Sequence, residues 1–297
     1  MPGSHSLPVR FGPRAGAITR APSAPIMIAF VLGLVEAAVE RDEVDRLHEG
    51  LSRSFSELFG RIEDARLEDR AGYRLVVCPR IPFPGLNGIW VLGPDELVAT
   101  NELEQAIREV ERLGLACWIE LRAGRTPAIE RLAGRLGFTH ADSLPGMVVR
   151  PAELVVVAGP ELEITRVHDR AGLAIAATVA AAGFEVAPED LAALFTSHVA
   201  ATPGLSIYVA HAEGRPVSTA TIWTGDGSVG VFNVATPPEY RGRGYGRAVT
   251  LNAVRDGFST GADLAWLQAS HLGEPVYRSM GFRQVETYLL LGRPITA

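Results

Sequence analysis

The chain has 297 residues, 47% of them hydrophobic and 21% charged, and a formal net charge of −6 at pH 7. That length supplies apolar material for two cores of ordinary size, while the acidic balance argues against nonspecific nucleic-acid binding, which needs clustered positive charge. With only Cys78 and Cys117 there is no disulfide framework, and the seven histidines show no ligand spacing with them or with each other, so no metal is expected.

Residues 1–26 are rich in Pro, Gly, Ser and Arg without periodicity and read as a disordered or artefactual extension. The apolar run Ile26 to Val35 is too short to span a bilayer, and Glu36 and Glu40 follow at helical spacing, so it reads as the start of an amphipathic helix and not as a membrane anchor. A first unit, residues 27–152, follows. It has helical stretches from about Val31 to Ala65, strands at Tyr73 to Cys78 and Gly88 to Leu92, and a helix at Asn101 to Leu113. A strand at Ala116 to Leu121, a helix at Pro127 to Leu136 and a strand at Phe138 to Val149 complete it. Both cysteines sit in its apolar strand-like segments, as buried thiols of a reducing compartment do, and a cytoplasmic location is expected.

After a linker at 153–161, a second unit spans 162–297. Its predicted order is strand 163–167, helices 170–182 and 188–200, strands 206–212, 216–223 and 228–235, helix 244–258, strand 264–269, helix 273–280 and strand 283–291. Glu213-Gly214 and Gly225-Asp226-Gly227 read as hairpin turns. Pro237 and Pro238 end a strand, since neither donates to a ladder.

Arg241-Gly242-Arg243-Gly244-Tyr245-Gly246 lies between a strand and a helix. Side-chain-free positions let backbone amides approach an anion, the helix N-terminus adds partial positive charge, and Arg241 or Arg243 offers bidentate donors. Downstream, the helix containing Tyr277 ends in Gly281-Phe282. Through Arg241, Gly244 and Gly246, and through Tyr277, Gly281 and Phe282, roughly residues 162–292 resemble the GNAT superfamily of N-acetyltransferases. The first unit echoes the second: Ala116-Cys117-Trp118-Ile119-Glu120 matches Leu264-Ala265-Trp266-Leu267-Gln268, and Leu136-Gly137-Phe138 matches Met280-Gly281-Phe282. It lacks a glycine loop, having Gly93-Pro94-Asp95-Glu96-Leu97 there, and Ala133 stands where Tyr277 stands in the second. The expectation is an α/β chain of two GNAT-like domains in tandem, each a mixed, splayed sheet flanked by helices, the first degenerate.

The resemblance implies attack by a primary amine on the thioester of acetyl-CoA, with no metal. It implies that Arg241, Gly242, Arg243, Gly244, Tyr245, Gly246 and Arg247 hold the pyrophosphate, that backbone amides around Val234, Ala235 and Thr236 face the developing oxyanion, and that Ser270 contacts the cofactor. Tyr277 is the candidate proton donor to the departing thiolate. No carboxylate lies on Ser228 to Val234, which leaves Glu239, His271 or a water chain from Asn233 or Ser270 as candidates for removing the amine proton. The acceptor, a small molecule or a protein amine, is expected near Gly183 to Asp190, with Phe184, Glu185 and Asn233 as contacts; the acids at Pro188-Glu189-Asp190 also fit an ordinary helix start. A non-catalytic acyl-CoA sensor is the rival reading.

Overall fold

Several strands read as near-continuous apolar runs, such as Tyr73 to Val77, broken only by Arg74, and Leu264 to Leu267, and these are buried throughout. Such strands need cover on both faces, and the sheet they build is sandwiched between helices. The computed structural model describes residues 24–81, 85–94 and 97–293, excepting the side chains of 24–38, 40 and 41. Residues 1–40 and 41–297 are separate compact units. The expectation for residues 1–26 falls mainly outside the described residues, as do Asp95 and Glu96. Among the described residues no single helix is long and apolar enough to cross a membrane.

In chain order the elements are α1 (Ala24–Phe59), β1 (Arg66–Arg70), β2 (Tyr73–Val77), β3 (Gly88–Val91), α2 (Thr100–Glu111), β4 (Trp118–Arg122), α3 (Pro127–Arg135) and β5 (Thr139–Val149). Then come β6 (Glu163–Arg166), α4 (Arg170–Phe184), α5 (Pro188–Leu191), α6 (Ser197–Ala200), β7 (Leu205–Ala212), β8 (Arg215–Gly225) and β9 (Ser228–Ala235). The chain finishes with α7 (Tyr245–Ser259), β10 (Leu264–Gln268), α8 (Glu274–Ser279) and β11 (Arg283–Gly292).

The mixed sheet expected from the sequence is present, and it is continuous. Its 11 strands run in the order β1-β2-β3-β4-β11-β5-β10-β9-β8-β7-β6. The two long strands at its centre change places: β5 pairs antiparallel with β10, and β11 with β4, while β5 and β11 also pair antiparallel with each other. On either side of that pair the same order recurs. β3, α2 and β4 form a parallel crossover unit followed by α3 and β5; β9, α7 and β10 form another, followed by α8 and β11.

Alternation along the strands sends side chains to two layers. Ile119 and Leu121 of β4 join α2 and α3 in one core, and Ala265 and Leu267 of β10 join α7 in another. The opposite face carries Trp90, Trp266 and Tyr288, covered by Leu47, Leu51 and Phe59 of α1. A buried ion cluster fastens α1 there. The Glu43 carboxylate is fully buried and accepts Arg150 Nε at 2.7 Å, while Arg283 of β11 bonds its second oxygen.

One expectation is corrected, and one strand was not expected. The helix predicted over 188–200 is three short pieces, α5, a 3-10 turn at Ala192–Phe195 and α6, because Thr196 turns extended and its hydroxyl accepts the Val199 amide, capping a new helix. The edge strand β1, Arg-Leu-Glu-Asp-Arg, has no apolar alternation to mark it; it is held by pairing to β2 and by Arg70 with Glu68 and Glu109. The hairpin turns form as read, with paired positive φ at Glu213 and Gly214 (50° and 73°) and at Asp226 and Gly227 (49° and 69°). Both cysteines are buried and free, and burial pushes their thiols up, to about 11 for Cys78 and about 12 for Cys117.

Replacing Glu43 by Ala leaves two guanidinium groups facing a buried hole. The Arg150 and Arg283 side chains retain some solvent, so the expected loss is near the low end for a broken buried pair, about 3 kcal/mol. Urea unfolding measures it, and a loss below about 1 kcal/mol contradicts the role assigned to the cluster.

Candidate active site

The parallel pairing of β9 with β10 covers only Ser228–Gly230 against Leu264–Trp266, although β9 runs on to Ala235. Beyond Gly230 the two strands have no pairing with each other. On its other side β9 is bulged against β8: between the pairs Thr221↔Phe232 and Thr219↔Ala235, Ala220 faces both Asn233 and Val234. Asn233 takes the left-handed φ of 48° that such a bulge requires. The sheet is therefore open from Val231 onward, and the bulge re-aims the last residues of β9 into the opening.

A cleft of about 810 Å³ lies there. Its walls are the end of β9 (Val234, Ala235, Thr236), the loop and first turn from Arg241 to Arg247, the end of α4 (Gly183, Phe184), and the segment from Ser270 through Tyr277. Gly183 is where α4 packs closest to β9, since a Cβ would come within 2.8 Å of the Thr236 nitrogen. Every residue expected to contact the cofactor lines this one cleft, as do Tyr277 and Phe184.

The loop has the electrostatics of an anion site. Gly244 caps α7 at φ 81°, a left-handed conformation that favours glycine. The amides of Gly242, Arg243, Gly244, Tyr245, Gly246 and Arg247 donate to no acceptor among the described residues; the first bonded amide is that of Ala248, to the Gly244 carbonyl. A run of unpaired amides converging on a helix N-terminus is a ready-made phosphate cradle.

The arginines divide their labour differently from the expectation. Arg241 Nε donates to the Thr236 carbonyl at 3.1 Å, and its Nη2 to the Gly183 carbonyl at 2.7 Å and the Glu185 carboxylate at 2.8 Å. Its fork is spent tying the loop to α4. Glu185, itself at φ 58° beyond the end of α4, is the partner of that arginine and lies outside the cleft wall. Arg243 donates to the Glu239 carbonyl at 3.0 Å and lies over Tyr240. The Arg247 guanidinium alone among the three has no partner among the described residues.

Tyr277 packs its ring on Gly273 and beside Phe282, 5.9 Å between centroids. It is 8% exposed, and burial raises its phenol well above the ordinary tyrosine value, so the hydroxyl keeps its proton at neutral pH. That hydroxyl makes no hydrogen bond with the described residues. Ser270 Oγ accepts the Gly273 amide at 3.2 Å, shaping the turn into α8. Glu239 and His271 are exposed on turns outside the cleft lining, and Asn233 contributes through the bulge rather than as a lining residue. Tyr240, Leu272, Pro275 and Val276 line the cleft without having been singled out; Pro275 and Val276 lie inside the Tyr277 motif, which is the signal that could have found them. Among the described residues no group of three or more His, Cys, Asp or Glu is placed to hold a metal.

A family model described as Acetyltransferase (GNAT) domain matches residues 203–284, from β7 to the start of β11. No curated protein matches the sequence. Among solved structures, a GCN5-related N-acetyltransferase from Kribbella flavida is similar at 20% identity and a TM-score of 0.61, covering 82% of this chain and 95% of its own. A GCN5-related N-acetyltransferase from Sphaerobacter thermophilus is similar at 14% identity, TM-score 0.59, with 76% and 78% covered. A tandem GNAT protein from the clavulanic acid biosynthesis pathway is similar at 13% identity, TM-score 0.50, with 76% and 79% covered. The chain thus carries a matched GNAT acetyltransferase segment at residues 203–284 and has the fold of the GCN5-related N-acetyltransferases.

Proposed function

We propose that the C-terminal half transfers an acetyl group from acetyl-CoA to a primary amine by direct attack, and that the N-terminal half is a degenerate repeat that shapes the site. The observation that carries this reading is the run of unpaired amides from Gly242 to Arg247, set in a cleft that leads past Val234 to Tyr277. Six donors on one helix end fit a diphosphate, and about 810 Å³ fits the body of a nucleotide thioester. In the N-terminal half the buried Ala133 stands where Tyr277 would.

Acetyl-CoA supplies the activated acetyl group. The chain supplies the rest. Arg247 and the loop amides fix the diphosphate, and the bulge at Asn233 turns the end of β9 so that backbone donors reach the carbonyl in the opening. Tyr277, held protonated by burial, stands at the cleft wall to give its proton to the departing sulfur. Its presence beside an intact cradle favours turnover over a sensor role.

Calorimetry with acetyl-CoA and a CoA-release assay across primary amines test the reading: binding together with acceptor-dependent thiol release is expected, and absence of both contradicts it. Changing Gly244 to Val forces a β-branched residue into the left-handed region at a cost of roughly 1–2 kcal/mol, so acetyl-CoA affinity should fall about tenfold or more. Arg247→Ala removes a charge-assisted donor worth roughly 1.5–3 kcal/mol to the bound anion, whereas Arg241→Ala should chiefly lower thermal stability. Equal affinity losses in the two variants would refute that division. For Tyr277→Phe, kcat should drop by roughly 10²–10⁴ with acetyl-CoA affinity unchanged; an unaltered kcat leaves the tyrosine only a packing role.

A further inference from the structure

The carboxylate missing from β9 has a counterpart elsewhere in the sheet. Glu120, on β4, is 9% exposed and points to the face opposite Ile119 and Leu121, the face that α1 covers. From there it reaches the far half of the sheet: Gln268 Nε2, on the last residue of β10, donates to Glu120 Oε1 at 2.7 Å. Gln268 lies two residues beyond Trp266, where β10 parts from β9, and two residues before Ser270, which lines the cleft. It is half-buried, so solvent reaches this edge of the pair.

Glu120 differs from every other buried carboxylate in the sheet's centre. Glu43 is paired with Arg150 and Arg283, and Glu286 with Arg122 and Arg125. Among the described residues Glu120 has no ion pair; its one hydrogen-bond partner is a neutral amide. The groups that face it offer no compensating charge. His48 of α1 is held neutral, its pKa lowered to about 4 chiefly by burial and then by Arg122; Tyr288 of β11 is buried with its phenol raised; Arg122, next but one along β4, is bonded to Glu286 at 2.7 Å. Burial pushes the Glu120 carboxyl up to about 7, and the Gln268 hydrogen bond only partly offsets it. A buried carboxyl without a cation is costly to ionise, and such perturbed groups cluster at functional sites.

Resting on the acetyltransferase reading above, we propose that Glu120, supplied by the N-terminal half, is the proton acceptor for the amine that reacts in the C-terminal cleft. The amine reaches the β9–β10 opening as an ammonium, held by Gln268 and drawn by the uncompensated carboxylate. Glu120 takes one proton from it. The freed nitrogen pair forms the bond to the thioester carbonyl carbon, the C–S bond breaks, and its electron pair leaves on sulfur, which takes the Tyr277 hydroxyl proton. The new amide nitrogen gives up its surplus proton to restore Tyr277, and Glu120 returns its proton to solvent, so each turnover releases one proton. The substrate class that this arrangement selects is a cationic primary amine.

The test is Glu120→Gln in the full chain, which keeps the shape and the bond to Gln268. With tyramine, spermidine, glucosamine and a lysine-containing peptide as acceptors, kcat/KM of the wild type should rise with pH through a midpoint near 7. In the variant that limb should vanish, the residual rate should follow the amine's own deprotonation, and kcat should fall roughly 10²–10⁴-fold at pH 7, with acetyl-CoA affinity unchanged. A structural role would not move the pH profile. Thermal melts check folding: the wild type should lose stability as pH rises from the ordinary carboxylate range through about 7, where folding holds the proton more tightly than the unfolded chain, and the variant should lack that slope. A variant that folds and retains both rate and pH limb overturns the proposal while leaving the acetyltransferase reading standing. A wild type that binds acetyl-CoA but releases no thiol with any acceptor overturns both.

Discussion

Antiparallel pairing of β5 with β11 decides where everything else in the chain can lie. Each of these long strands is the last strand of one half, and each is built into the sheet next to the other half, β5 against β10 and β11 against β4. The halves therefore share hydrogen bonds and not merely a surface. One consequence is that β10 is held on one side by β5 along Ala265 to Gln268, while β9 is held by β8, so the two can part beyond Gly230 without leaving either strand unsupported. The cleft occupies that parting. A second consequence is that β4 and β10 are brought close enough across the central pair for Glu120 and Gln268 to touch.

The acidic balance of the chain runs against an anionic ligand, and the geometry resolves the conflict locally. Positive potential in the cleft comes from main-chain amides and a helix end, which carry no formal charge and do not register in the composition. Two of the three arginines in the loop are used to build it: Arg241 bridges Thr236, Gly183 and Glu185, and Arg243 closes back on the Glu239 carbonyl. Only Arg247 is left to meet a ligand. The loop is thus preorganised by its own side chains, and on the proposed reading the backbone amides offer the ligand donors that side-chain substitutions leave in place.

Much of this was legible in the sequence because it was written in backbone chemistry. Glycines at positive φ, Asp-Gly and Glu-Gly turns, and buried apolar strands each signal a local conformation, and nearly all predicted elements formed within two or three residues. The cleft-lining residues from Val234 to Ser270 followed from the same local motif. What was not legible depended on distant partners. β1 is a strand only because β2 and Glu109 hold it, and the 188–200 helix breaks at a threonine that could equally have been internal. The strand exchange at the centre leaves no mark in either strand, since a strand's side-chain pattern does not record which neighbour it pairs with. The Glu120–Gln268 contact was hidden for the same reason: aligning the two halves placed these residues at equivalent positions, and equivalence in a repeat says nothing of touching.

The central claim is that the amides from Gly242 to Arg247 bind the diphosphate of coenzyme A. Amide hydrogen exchange with and without acetyl-CoA measures those donors directly. Slowed exchange concentrated at Gly242 to Arg247 and at the end of β9 is the predicted result. Binding of acetyl-CoA that leaves these amides exchanging as fast as before, with protection elsewhere, would contradict it.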